Sequence, residues 1–282
     1  MNEHGAPVVV GIGDKQPTAL RFALREASRT GARLRVVHAA GFPFPSLEFL
    51  SGAGVVVENA QGTGQKVLDD AKHFIDQEIT VVSVDYVLTD AAPIEALEAE
   101  ARTACALVVG ADDISWPDRL LGGAISEHLS GHAACLVMVV PERSYPTHQS
   151  AGVCVALDGD TSAEGPLRFA YEQADARENM LHVLHATPPG TQSKDMELIR
   201  ANLAEVLAGW STAYPGVRVM LSFPMDDPEE ACVRATEHAE LVVVGRPHGR
   251  TLPFSMARPL ASRVIRRANC PVAVVPSNYR GQ

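Results

Sequence analysis

No stretch of the sequence is apolar over anything near the ~20 residues that a membrane-spanning helix needs, so no such helix is expected. The opening residues, Met1-Asn2-Glu3-His4-Gly5-Ala6-Pro7, place no basic segment before an apolar run, so no secretory leader is expected either. The five cysteines are odd in number and include no C-x-x-C pair, which argues against a disulfide framework. All five sit in apolar stretches, where cysteine behaves as a small hydrophobe. That usage fits a reducing cytoplasm. Also missing are the G-x-x-x-x-G-K-S/T phosphate loop, the G-x-S-x-G nucleophile turn and the H-E-x-x-H zinc motif. No base, nucleophile and orienting group can be assembled together. No catalytic residue and no metal ligand is therefore assigned, and the chain is expected not to be an enzyme.

Acidic residues are absent where basic ones are dense. Residues 241–282 hold seven arginines (246, 250, 258, 263, 266, 267 and 280) and no Lys, Asp or Glu. The net charge of −10 therefore leaves −17 on the remainder. An acidic body disfavours nucleic acid as a partner, because phosphate neutralisation dominates that affinity. The arginine-rich segment reads as a local anion site or as an ion-pairing face. Arg263, Arg266 and Arg267 share one predicted helix and are expected to face solvent or the other domain.

What the sequence does contain, it contains twice. Val8-Val9-Val10-Gly11 returns as Val153-Cys154-Val155-Ala156, an offset of 145. Leu107–Gly110 returns as Val242–Gly245, and Ala134–Pro141 as Asn269–Pro276, both offset by 135. The first copy thus carries an insertion, placed within residues 40–66. A period this long marks a duplicated domain rather than a solenoid repeat. With 282 residues, two domains are expected at 1–145 and 150–282, joined by a linker around residues 142–152.

Each copy alternates strands and helices. In the first, strands are predicted at 7–12, 33–39, 80–88, 107–110 and 136–140, with helices at 17–30, 57–77, 94–103 and 120–132. In the second, strands fall near 152–158, 180–186, 216–222, 241–245 and 271–276, with helices near 163–177, 194–210, 228–239 and 257–268. Leu20, Ala23, Leu24 and Ala27 share a helix face, as do Val67, Leu68, Ala71 and Phe74. The pattern defines an α/β protein of two similar doubly wound domains, each with a five-stranded parallel sheet. Ligands of such sheets bind beyond the carboxyl ends of the strands, where strand order reverses. Those places are the turns after the first and fourth strands of each copy. His182 and His185, three apart on a strand, point to opposite faces and read as packing residues rather than a shared metal site.

The first-strand turns, the Val-Val-Gly ends of the fourth strands and the closing Cys-Pro-Val-x-Val-Val-Pro at Cys270–Pro276 together resemble the universal stress protein family in its tandem two-domain form. The first copy has Leu136 in place of the first proline of that closing string. The resemblance covers nearly the whole chain. It implies pairing through the fifth strands, 136–140 and 272–276, either repeat to repeat or in a homodimer. It also implies ATP as a candidate ligand in many members, with an Asp at the end of strand 1 and Gly-x2-Gly-x9-Gly-Ser/Thr after strand 4. Glycines let backbone N–H groups reach phosphate oxygens, and a following helix N-terminus favours negative charge.

Carried onto this sequence, the pattern is incomplete in both copies. The first has Gly11 and Gly13 at the strand-1 turn, with Asp14 adjacent. Its loop runs from Gly110 through Asp113 and Gly123 to Ala124, with Ser126 two residues on. Asp112, Asp113 and Asp118 put three carboxylates where a triphosphate would lie, which is unfavourable without a cation. The second copy keeps the acid as Asp158, followed by Gly159. Its loop runs from Gly245 to His248, Arg258 and Pro259. Two glycines are lost, but Arg246, His248, Arg250 and Arg258 crowd the turn, and arginine binds phosphate through its forked donors. Ala39 and Ala186 stand where the family places an apolar adenine contact. Three functions remain open: a cytoplasmic stress-response regulator that binds adenine nucleotide weakly, chiefly through the second copy; an interaction module that no longer binds nucleotide; and a slow ATP hydrolase.

Overall fold

The computed structural model describes residues 5–13, 16–41, 53–78, 81–111, 125–142, 152–157, 164–187, 189–191, 193–246 and 259–281. The chain divides into two compact units, Met1–Arg143 and Ser144–Gln282. Residues 42–52 of the loop expected at 40–55, and most of the expected linker, lie outside the described residues, and residues 53–55 of that loop belong to a helix.

In the first unit the elements run β1 (Val8–Gly11), α1 (Pro17–Thr30), β2 (Leu34–Ala39), α2 (Ala53–Asp76), β3 (Val84–Thr89), α3 (Pro93–Ala101), β4 (Ala106–Gly110), α4 (Ile125–His132) and β5 (Leu136–Val140). Within this unit the strand order is β3-β2-β1-β4-β5, with each pair parallel. The second unit repeats the plan with β6 (Val153–Ala156), α5 (Glu164–Ala176), β7 (Leu181–Leu184), α6 (Ser193–Ala213), β8 (Val219–Ser222), α7 (Pro228–Thr236), β9 (Leu241–Gly245), α8 (Leu260–Arg267) and β10 (Val272–Val275). Its order is β8-β7-β6-β9-β10, again parallel throughout. The fold is thus the expected pair of doubly wound parallel α/β units. In each, order reverses between the first and fourth strands, which opens a crevice at their carboxyl ends.

The strands are near-continuous aliphatic runs because parallel sheets are covered on both faces. Every residue of β1, β4, β5 and β10 is buried. Helix α1 starts with Pro17 in its first turn, where the missing N–H costs nothing. It ends at Gly31, whose φ of 67° is the left-handed cap that glycine tolerates. Leu20, Ala23, Leu24 and Ala27 are all buried along it.

On α2 the buried stripe is Leu68, Ala71 and Ile75, with Val67 and Phe74 at its margin. The Arg21 guanidinium covers the Phe74 ring at 5.0 Å. Helix α2 begins a turn earlier than expected, across Gly54 and Val55–Val57, residues whose helix propensity is low. Helix α6 extends past its expected end through Ser211 and Thr212, whose hydroxyls bond back to the carbonyls of Leu207 and Ala208. It stops at Ala213 because Tyr214 precedes Pro215, and that position disfavours the α conformation.

Candidate functional site

Each crevice is built from backbone first. In the first unit, Gly11 ends β1 opposite Val37 and Val109, and Gly110 ends β4 beside Val140. A methyl group on Gly11 would lie 2.7 Å from Leu97 Cδ1, so the space beside this glycine is already taken by α3. The Gly13 N–H donates to Gln16 Oε1 at 3.1 Å. The same amide group reaches Gly110, where a Cβ would stand 2.7 Å from Gln16 Nε2. Gln16 therefore spans from the β1 turn to the end of β4. Gln16 carries little signal in the sequence, only a polar amide directly before Pro17 at the helix start.

A histidine stands near the end of each second strand, His38 one residue before the end of β2 and His185 one residue after β7. His38 Nδ1 lies 2.8 Å from the Ile12 carbonyl, and His185 Nδ1 lies 2.9 Å from the Leu157 carbonyl. A carbonyl oxygen only accepts, so Nδ1 carries the proton in both rings. The same tether thus recurs at matched positions and holds the turn after the first strand. His185 is buried, as its packing assignment required, and its contact is to the strand-turn backbone. Ala39 and Ala186 follow these histidines directly, and both are half-buried.

Ser126 lies in the first turn of α4, only 1% exposed, and its Oγ has no hydrogen-bond partner among the described residues. Its carbonyl accepts from Ser130 Oγ at 2.6 Å. A hydroxyl buried without a partner is an unfavourable placement unless something else uses it. In the second unit Gly245 ends β9 and is exposed, and among the described residues a Cβ there would meet nothing nearer than Pro166 Cγ at 3.5 Å. The Arg246 N–H donates to the Val275 carbonyl at 2.8 Å. The structure thus brings Gly11, Gly13 and Gly110 together around one strand reversal and places Gly245 at the other. Asp14, Asp112, Asp113, Asp118, Gly123, Ala124, Asp158, Gly159, His248, Arg250 and Arg258 lie outside the described residues.

Arg263 and Arg267 of α8 are engaged by the neighbouring helix. Arg263 pairs with Glu229 at 2.8 Å, and Arg267 bridges Glu229 at 3.1 Å and Glu230 at 2.5 Å. Both partners belong to α7 of the same unit. Arg266 and Arg267 are exposed, as expected, and Arg263 is half-buried; the acidic first turn of α7 attracts Arg263 and Arg267 along the surface. The hydrogen bond from Arg267 holds the Glu230 carboxyl below its ordinary range. Among the described residues, no group of three His, Cys, Asp or Glu side chains is placed to hold a metal ion. No described helix is long and apolar enough to cross a membrane.

Two parallel α/β units with crevices at their strand reversals define a tandem doubly wound α/β protein. The chain belongs to the universal stress protein family, whose pattern matches residues 6–141 and again 152–276. A universal stress protein of Mycobacterium tuberculosis is 32% identical over 259 residues, covering 84% of this chain and 85% of the relative. One from Mycolicibacterium smegmatis is 29% identical, covering 97% of each. Among solved structures, a universal stress protein from Archaeoglobus fulgidus superposes with a TM-score of 0.71 at 16% identity over 96% of both chains. The last of these likenesses is one of fold.

Proposed function

We propose that this protein is a cytoplasmic, non-enzymatic stress-response regulator that takes adenine nucleotide weakly, with the second unit as its binding site. The observation that carries the reading is the contrast between Gly110 and Gly245. At Gly110 the Gln16 amide stands where a ligand would approach the backbone, whereas Gly245 is exposed and open. Asp158 precedes that crevice in sequence, and Arg250 and Arg258 supply cationic donors in the loop that follows. Ser126, which follows the first unit's loop, is buried.

Loss of the glycines and of the Ser/Thr donor removes one or two close hydrogen bonds, about 1–3 kcal/mol. That corresponds to roughly 5- to 150-fold weaker binding than an intact loop gives. Calorimetric titration of the full chain with ATP tests the reading, alongside Gly245→Val. Saturable binding that Gly245→Val abolishes supports it. No heat at millimolar ATP, with no nucleotide released on denaturation, would instead leave the interaction-module reading, which the Gln16–Gly110 contact favours. ATP hydrolysis lost on Asp158→Ala or Arg258→Ala would establish the hydrolase reading in its place.

A further inference from the structure

The two units differ most where one side chain of the second strand meets the third helix. Register aligns Leu34 with Val8 and Leu181 with Val153, so Arg35 and His182 occupy matched positions. Pro93 and Pro228 open α3 and α7, which matches Glu100 to Ala235, Ala99 to Arg234 and Thr103 to His238. In the first unit, Arg35 Nη1 pairs with Glu100 Oε2 at 3.0 Å, and Arg33 and Arg35 both approach Asp85 at 3.7 Å. The guanidinium and carboxylate stand between strand and helix there. The second unit has lost both members of the pair, and a cavity of about 310 Å³ lies in the corresponding place. That volume is at the small end of ligand pockets, which run from about 300 Å³ upward.

The lining has a definite chemistry. Cys154 and Leu184 come from the sheet and Ala231 and Ala235 from α7, an apolar bed. His182, Ser222, Arg234 and His238 supply the polar groups, and among the described residues no Asp or Glu lines the space. Asp226 pairs with Arg234 without lining the cavity. Burial pushes the His182 imidazole below its ordinary value, so at neutral pH the ring is an uncharged donor and acceptor. The Cys154 thiol, pushed up to about 12 by burial, stays protonated and apolar. Cys154, His182 and His238 share this cavity but are not grouped to hold a metal ion.

We propose that the second unit's cavity binds a small organic anion, an apolar body bearing one carboxylate. The carboxylate takes the place that Glu100 holds in the first unit and faces His182, while the body lies on Cys154, Leu184 and Ala231. The first unit carries this carboxylate as part of its own chain; the second leaves it to a ligand. The site is separate from the crevice at Gly245, because its walls come from β6, β7, the end of β8 and α7 rather than from the end of β9.

Benzoate and 2-naphthoate are the probes, titrated into the full chain while the side-chain signals of His182 and the methyl signals of Ala231 and Ala235 are followed by NMR. Saturable shifts confined to these groups are expected, undisturbed by saturating ATP. Ala235→Glu, which restores the first unit's carboxylate, should weaken binding by roughly tenfold or more, as should replacing 2-naphthoate by its neutral carboxamide. The double variant His182→Arg with Ala235→Glu rebuilds the ion pair and should melt no lower than the parent while binding neither probe. His238→Ala, at an exposed position, keeps the fold and should weaken the anion more than the amide. Absence of shifts with both acids, equal binding of acid and amide, unchanged binding in folded Ala235→Glu, or displacement by ATP would each overturn the proposal.

Discussion

The Gln16 side chain lies so close to Gly110 that a methyl group on that glycine would stand 2.7 Å from its Nε2. Its Oε1 meanwhile accepts from the Gly13 N–H at 3.1 Å. One amide thus both ties the first-strand turn and covers the end of β4. Gln16→Ala should cost about 0.5–1.5 kcal/mol through the lost hydrogen bond. It should also uncover the first crevice, so the calorimetric stoichiometry for ATP should rise towards two sites per chain. Unchanged stoichiometry with lowered stability would mean that the amide is only a structural tie.

Gly11 and Leu97 form a compensating pair. A methyl on Gly11 would sit 2.7 Å from Leu97 Cδ1. The second unit has Ala156 and Cys232 at the matched positions, a larger strand residue against a smaller helix residue. Gly11→Ala should therefore destabilise by about 1–3 kcal/mol through overpacking. Adding Leu97→Cys should recover part of that loss, a coupling of about 0.5–3 kcal/mol in a double-mutant cycle by denaturant unfolding.

Glu172 gives the acid dependence a definite sign. Burial raises its carboxyl above the ordinary range, and the hydrogen bond from Tyr279 and the charge of Arg168 offset this only in part. The folded state then holds a proton that the unfolded state has already lost. Stability from this residue is greatest below its unfolded value, about 4.3 for glutamate, and falls as pH rises through the window up to the raised folded value. Glu172→Gln keeps an acceptor for Tyr279 and should raise the Tm at pH 7 relative to the parent. The difference should vanish in melts run below about pH 4.

The thiols should be inert until the chain opens. Burial pushes Cys154 and Cys232 up to about 12, and it drives Cys270 higher still. Cys135 is buried as well, while Cys105 is half-buried with its thiol also raised. Iodoacetamide on native protein at pH 7.5 should leave Cys135, Cys154, Cys232 and Cys270 unmodified over the time in which Cys105 reacts slowly. In denaturant all five should be alkylated, as peptide mass spectrometry will record. Rapid native modification of Cys154 would refute the packing described for β6.

The strands and their order were legible because parallel sheets demand uninterrupted aliphatic runs, and Val8–Gly11, Leu107–Gly110 and Leu136–Val140 are such runs. Helix ends were less so. Pro17 and Gly31 mark α1 plainly, but Ser211 and Thr212 bond back onto α6, and no local pattern reveals that. Of the crevices, the glycines at strand ends could be read directly. Gln16 could not, because a long amide before a proline looks like any solvated helix start. His185 reads from the sequence as a packing residue and His38 carries no signal there; only the fold sets both beside the turn they tether. The partners of Arg263 and Arg267 were hidden for the same reason: Glu229 and Glu230 lie more than thirty residues away, and only packing of α7 on α8 joins them.

Gly165 has no side chain because the carbonyls of Pro276 and Ser277 press against it: a Cβ would lie 2.3 Å from the first and 2.7 Å from the second. Tyr279 then sets its ring edge-on to Phe169 and donates its hydroxyl to Glu172. The segment after the last strand is therefore a clasp over α5, not a loose tail. Shortening the chain at Pro276 would bare an aromatic ring that is wholly shielded in the intact molecule. Affinity tags or fluorescent reporters fused close behind this segment need a spacer long enough to leave the clasp shut.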